Sequence, residues 1–423
     1  MSYFHIQGSQ YGKSGTIPVY GAKNSAIKLI PASLLIEGEV TLHNIPDIAD
    51  VKGMMSILES LGAIVKRIDH HSYQIDTRFV NQSQISFDIA VNMRASFLFI
   101  APLLLRFGQV TFPHPGGDAI GRRPIDMTLE ILRDMGVIIT EKPNAYIFSL
   151  PSNQKLQAID YVFKWISHTS TELLIMAAVK AEGTTTIYNA AMEPEVGMLC
   201  HMLQQAGARI TGEGTSQISI EGVTDLSSVE VTNIPDRLEV ASFVILGAIT
   251  HSNLTITNIT PHHLRVFWKY LDIVGVNYQL SSDQVEIFPP AQTYQATDIK
   301  THEYPGFVTD FQAPFTVLLT QAEGLSMVHE TIFDGRLFYT DTLNRMGAQI
   351  IMCDPYRVVV HGASQLYGQK IESPDVRAAM AFLLAALVAK RSSVIHNIHH
   401  IDRGYENIEK RLQVLGFDIT RYD

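Results

Sequence analysis

Residues 37–65 read EGEVTLHNIPDIADVKGMMSILESLGAIV. Val40, Thr41 and Leu42 give the alternating, β-branched signal of a strand. A polar turn follows. Met54, Ile57, Leu58 and Leu61 then recur at i, i+3, i+4 and i+7, the spacing of a helix with one apolar face. Gly62 ends that helix, where the chain needs a left-handed residue, and a second strand begins. The same order recurs in 108–139, 182–210, 252–278, 323–350 and 391–419. The terminating glycines are Gly62, Gly136, Gly207, Gly275, Gly347 and Gly416, a period of about 70 residues.

Each unit carries a second, more apolar helix upstream. These read GAKNSAIKLIPASLL, VNMRASFLFIAPLLL, ISHTSTELLIMAAV, IPDRLEVASFVILGAI, GFVTDFQAPFTVLL and SPDVRAAMAFLLAALV. Each is polar at its start and apolar beyond it. The starts hold Lys23 and Asn24, Arg94, Ser167 to Thr171, Asp236 with Arg237, Asp310, and Arg377. A helix apolar on every side is buried and shows polar groups only at its ends. Six such N-termini directed at one cleft form an anion site, because unpaired N–H groups and the helix dipole both favour negative charge.

The rest of the composition narrows the function. The chain has 423 residues, 46% apolar and 17% charged, which suits a two-domain globular protein. A net charge of −10 argues against a general nucleic-acid role, so any field for an anionic ligand is local. Cys200 and Cys353 have no CxxC partners, which suits a reducing cytoplasm and excludes a cysteine zinc site. The N-terminus lacks a signal-peptide core, and the longest apolar run, Ala378 to Ala389, is too short to span a membrane. His396, His399 and His400 have metal-like spacing. They are expected on a strand leading into a loop with no carboxylate or cysteine ligand set, so no metal is assigned. His262 and His263 are likewise expected in a loop.

The local motifs are specific. GAKN at 21–24, MRAS at 93–96, PGG-x-AIG-x-RP-x-D at 115–126, AEGTT at 181–185, PDR-x-E at 235–239, TD-x-Q at 309–312 and HIDRGYE-x-IE at 400–409 stand in order along nearly the whole chain. Together with the repeat, they resemble the enolpyruvyl transferases, specifically the UDP-N-acetylglucosamine 1-carboxyvinyltransferases. The sister family that makes 5-enolpyruvylshikimate 3-phosphate is less similar, since its Lys-Ser-x-Ser-type motif meets Lys23-Asn24-Ser25 here. The resemblance implies an α/β (α+β) fold: a two-domain inside-out α/β barrel of six βαβαββ-type repeats, helices inside and sheets outside. Residues 22–232 form one three-repeat domain carrying the loop 113–128. Residues 1–21 with 233–423 form the other, and the active site lies between them.

The resemblance also implies the chemistry. The sugar 3-hydroxyl adds to C2 of phosphoenolpyruvate while C3 is protonated, and the resulting ketal loses phosphate. No cofactor is needed. The partners are the small molecules phosphoenolpyruvate and UDP-N-acetylglucosamine, with no nucleic acid or membrane, in a bacterial cytoplasmic monomer or weak oligomer. Asp118 occupies the position where most of the family has an acid cysteine, so the antibiotic that alkylates that cysteine, fosfomycin, is expected to be ineffective. Lys23, Arg123 and Arg403 match the clamps for the donor phosphate, and Arg336 and Arg377 its carboxylate. Asp310 matches the residue that contacts the sugar 3-hydroxyl and takes its proton. Asn24 matches a position that bonds the same sugar region and the phosphoenolpyruvate. Arg94, the segment Arg123, Pro124, Ile125, Asp126 and Met127, the segment Trp165, Ile166, Ser167 and His168, and Ile332 match positions that hold the UDP-sugar. Glu193 and Glu195 are read as structural, and Asp236 and Glu239 as organising the hinge or the sugar site.

Departures cluster on the acceptor side. Residues 167–171 read SHTST where most members have SVGAT, Thr128 stands in place of a histidine, and Met198 in place of an aspartate. They motivate two competing readings. One is enolpyruvyl transfer to a different nucleotide or sugar acceptor. The other is a catalytically silent nucleotide-sugar-binding paralogue.

Overall fold

The computed structural model describes residues 2–85, 87, 93–114 and 125–423. These residues fall into two compact units, one drawn from 2–20 and 235–423 and the other from within 21–234. Each unit has its own apolar core. In each, three sheets surround buried helices.

The buried helices are the second set read from the sequence. In the 21–234 unit they are α1 (Lys23–Ala32), α2 (Ile100–Phe107) and α3 (His168–Ala178). In the other unit they are α4 (Arg237–Ile249), α5 (Thr309–Thr320) and α6 (Val376–Val388). Every residue of α4 and α6 is buried, and α4, α5 and α6 pack on one another. A helix in that position has no solvent face, so its polar residues collect at its first turn.

The six terminating glycines behave as their places require. Gly62, Gly136, Gly207, Gly275, Gly347 and Gly416 have φ of 101°, 95°, 110°, 87°, 103° and 84°. A side chain is strained at such angles.

The strand pairing shows how one chain builds two units. Ser14–Pro18, before the first crossing, pairs in parallel with Asn253–Thr257 of the fourth repeat. Val229–Thr232, before the return, pairs in parallel with Glu39–His43 of the first repeat. The two repeats have exchanged their opening strands. Tyr3–Ile6 likewise sits between Ser393–His396 and Ile419–Tyr422, completing the sixth sheet with the start of the chain.

The crossing points are held by hydrogen bonds on each side. In one unit the Ala22 amide donates to the Ile234 carbonyl at 2.7 Å and Asn233 Nδ2 donates to the Ala22 carbonyl at 3.0 Å. In the other the Asp236 amide donates to the Tyr20 carbonyl at 2.9 Å, and the Tyr20 amide donates to Glu239 Oε2 at 3.0 Å. Glu239 also pairs with Arg411 at 2.6 Å, and the Arg411 guanidinium lies over the Tyr20 and Phe243 rings at 4.3 and 4.8 Å.

Three local expectations need correction. The stretch 91–105 was expected to form one helix. Its described part is a 3-10 helix, Arg94–Phe99, followed by α2. Pro102 has no N–H for an i−4 bond to Leu98, so the α-ladder starts late. His399 and His400 lie on a short helix, His399–Asp402, rather than a strand or loop. His262 and His263 lie on a 3-10 turn, Pro261–Leu264, opened by Pro261, whose fixed φ suits a first helical position.

The buried Glu239–Arg411 pair gives a stability test. Arg411→Met leaves Glu239 buried without its partner and is expected to cost about 3–5 kcal/mol in a denaturant titration. The double variant with Glu239→Gln should cost less than the single change.

Candidate active site

Asp310, Arg336 and Arg377 meet in the 235–423 unit. Asp310 is the second residue of α5, whose preceding residue Val308 makes no side-chain cap. Its carboxylate points at cations instead. Arg336 Nη2 lies 2.5 Å and Arg377 Nε 3.4 Å from the same oxygen, Asp310 Oδ1. The neighbouring helices use their carboxylates as caps. Asp236 accepts from the Leu238 and Glu239 amides, and Asp375 from the Arg377 and Ala378 amides.

Each arginine is fixed from behind. Arg336 Nη1 donates to Thr309 Oγ1 at 3.0 Å, and Thr309 Oγ1 donates to Glu330 Oε2 at 2.8 Å. Glu330 is fully buried, and its other oxygen accepts from the Ile332 and Phe333 amides at 2.8 and 3.2 Å. Arg377 Nη1 donates to Tyr405 Oη at 3.1 Å, which pairs with Ser242 Oγ at 2.8 Å. A third cation, Arg237, lies over the Tyr304 and Phe311 rings at 5.2 and 5.9 Å. A cleft of about 450 Å³ opens beside those rings, bordered by His262, His263 and Arg265.

Burial alone would raise the Asp310 pKa. Arg336, then Arg377 and Arg237, override it and hold the carboxyl well below the usual carboxylate range. Arg336 and Arg377, expected to face a ligand carboxylate, therefore face one of the protein's own.

Arg403 follows the His399–Asp402 helix and is half-buried. The His399 and His400 rings lie 4.2 Å apart and tilted at 36°, whereas His396 lies against Tyr3 at 5.4 Å. The three histidines do not point at a common centre.

In the 21–234 unit, Lys23 opens α1 and pairs with Asp50 at 2.7 Å. Asn24 is beside it, half-buried. Arg94 opens the 3-10 helix. Ile125 precedes the helix Asp126–Asp134, on which Asp126 is exposed and Met127 buried. Trp165 is exposed, and Ile166 packs on the core. Ser167 caps α3 through the Ser170 amide. Thr128 Oγ1 shares a hydrogen bond with Ser170 Oγ at 2.9 Å, so two of the departures from the family pattern fit each other. His168 is half-exposed, with Nδ1 3.7 Å from the buried Glu172, whose other oxygen is 3.3 Å from Lys28. Desolvation lowers the His168 pKa, but Glu172 outweighs it and Lys28, leaving the pKa raised. Glu195 is buried on the helix Pro194–Gln205, and Met198 packs into the core there. Asp118, Arg123 and Pro124 lie outside the described residues.

Sequence reasoning missed Glu330, Thr309, Tyr405 and Ser242 as supports. Thr309 and Tyr405 stand inside quoted motifs and Ser242 on a buried helix, while Glu330 belongs to neither, and only the fold shows what each touches. Cys200 is buried, which pushes its thiol up to about 12, while Cys353 is exposed. No helix among the described residues is long and apolar enough to cross a membrane.

Comparison with known proteins places this arrangement. A model of the EPSP synthase (3-phosphoshikimate 1-carboxyvinyltransferase) family matches residues 10–412. UDP-N-acetylglucosamine 1-carboxyvinyltransferases from Campylobacter hominis and Helicobacter acinonychis are 41% and 40% identical, over 100% of this chain and 99% of each relative. The chain belongs to the UDP-N-acetylglucosamine 1-carboxyvinyltransferase family. The fold agrees. The enolpyruvyl transferase NikO from Streptomyces tendae superposes with a TM-score of 0.91 at 22% identity, over 99% of this chain and 98% of that one. An EPSP synthase from Acinetobacter baumannii superposes with a TM-score of 0.76 at 18% identity, over the whole of both chains.

The Asp310 cluster makes stability depend on pH with a definite sign. A carboxyl whose folded pKa is depressed stabilises the fold above its unfolded pKa, and that stability is lost as pH falls below it. Asp310→Asn is therefore expected to flatten the acid limb of the melting temperature between about pH 5 and pH 2. An unchanged acid limb would show that Asp310 is not held ionised by the arginines.

Proposed function

We propose that this chain transfers the enolpyruvyl group of phosphoenolpyruvate to the 3-hydroxyl of UDP-N-acetylglucosamine, releasing phosphate, as the committing step of peptidoglycan synthesis. The full-length similarity of about 40% to carboxyvinyltransferases carries this reading.

The reaction balances without a redox cofactor or a metal. The acceptor oxygen bonds to C2 and gives its proton to Asp310, while C3 takes a proton from Asp118. The Asp118 carboxylate then takes a proton back from C3 as the C2–O bond to phosphate breaks, and the proton held by Asp310 leaves with the phosphate, so both carboxyls are restored. Lys23, Arg123 and Arg403 clamp the phosphate, and Arg336 and Arg377 take the carboxylate, where planar forks suit a planar anion. Asn24 holds the sugar. Arg94, residues 123–127, Trp165 to His168 and Ile332 hold the uridine diphosphate part. Two unpaired cysteines fit a reducing cytoplasm.

Asp118, in the glycine-rich stretch 115–126, is the proton donor. A carboxylate is a much poorer nucleophile than a thiolate, so the enzyme is insensitive to fosfomycin. Transfer to another acceptor remains the competing reading, because His168 puts an imidazole where most of the family has a valine.

Phosphate release should require both phosphoenolpyruvate and UDP-N-acetylglucosamine and continue unchanged in fosfomycin. Asp118→Asn should lower kcat by about 100-fold or more. A covalent fosfomycin adduct on the pure protein would contradict the role given to Asp118. Turnover with a different nucleotide sugar, but none with UDP-N-acetylglucosamine, would replace the acceptor.

A further inference from the structure

We propose that Asp310 is a self-ligand: in the ligand-free protein its carboxylate takes the place on Arg336 and Arg377 that the donor's carboxylate occupies when it binds. This rests on the reading that phosphoenolpyruvate is the donor.

The geometry separates a fixed part from an exchangeable one. The Arg336 and Arg377 side chains are only 5% and 8% exposed, and Asp310 is 26% exposed. Thr309 with Glu330 anchors the first guanidinium, and Tyr405 with Ser242 the second. Asp310 is the member that faces solvent. Both arginine contacts fall on its Oδ1. A free carboxylate, unconstrained by a helix, can offer an oxygen to each arginine, so it competes on good terms.

Displacement has a chemical consequence. While paired, Asp310 is held ionised and is a weak base. Once a ligand carboxylate takes its cations, burial and the new negative charge both raise its proton affinity. Arg237, the remaining cation beside it, opposes that rise. Donor binding thus converts Asp310 into the stronger base that the acceptor hydroxyl needs.

Self-occupancy also lowers the apparent affinity of the donor by the fraction of time the place is filled. Removing the carboxylate removes that competition. The test is direct binding of phosphoenolpyruvate, without acceptor, to the wild type, Asp310→Asn and Asp310→Ser, with inorganic phosphate as the control anion. Both variants should bind phosphoenolpyruvate about tenfold or more tightly, with phosphate affinity changed by less than about twofold. Equal gains for both anions would mean a general charge effect and overturn the proposal. Unchanged or weaker phosphoenolpyruvate binding would overturn it too, since Asp310 would then be ordering the arginines. Wild-type protein gives a second reading that does not depend on the variants folding. Pyruvate, which has no group titrating near pH 5, should bind there with net proton uptake by calorimetry in two buffers. Binding without uptake would count against displacement. None of these measurements involves turnover, so they succeed or fail separately from the acceptor assignment.

Discussion

A helix with no solvent face can carry polar groups only at its ends, and the rest of this structure follows from that constraint. α4 and α6 are buried along their whole length, and α5 from its third residue onward. Their first turns bring Arg237, Asp310 and Arg377 into one cluster, joined by Arg336 from the loop after the fifth repeat's central strand. The apolar remainder of each helix supplies the core, and the polar first turn supplies the cluster.

The cluster also shows how a chain with a net charge of −10 keeps a cationic site. Three guanidiniums stand together because each is neutralised or stacked: Arg336 and Arg377 on Asp310, Arg237 on Tyr304 and Phe311. Buried like charges without such partners would repel at large cost. The same arrangement holds Asp310 ionised.

Much of this was legible in the sequence because it is periodic. Gly62 and its five counterparts recur with a fixed spacing, and each has the positive φ that its place demands. The buried helices were legible from their apolar runs, and Lys23, Asp310 and Arg377 from standing at the start of those runs. What was not legible depends on partners far away in the chain. Asp310 with Arg336, and Glu239 with Arg411, are pairs that neither residue announces alone. Glu330 belongs to no quoted motif and is a buried anchor for two loop amides and Thr309. Asp236 looked like a hinge or sugar residue and is a helix cap, while its own amide ties down Tyr20 at the crossing. The late start of α2 was written in Pro102 but hidden by the strong apolar pattern around it. Thr128 and Ser170 looked like unrelated departures and are bonded to each other.

The proposed reaction turns on where the three-carbon unit goes. Phosphoenolpyruvate labelled with carbon-13 at C2, incubated with the protein and UDP-N-acetylglucosamine, can be followed by carbon NMR and mass spectrometry. One product is expected, in which the labelled carbon is an enol ether on the sugar 3-oxygen, formed in step with free phosphate. Label remaining in phosphoenolpyruvate, or appearing only as pyruvate, would contradict it.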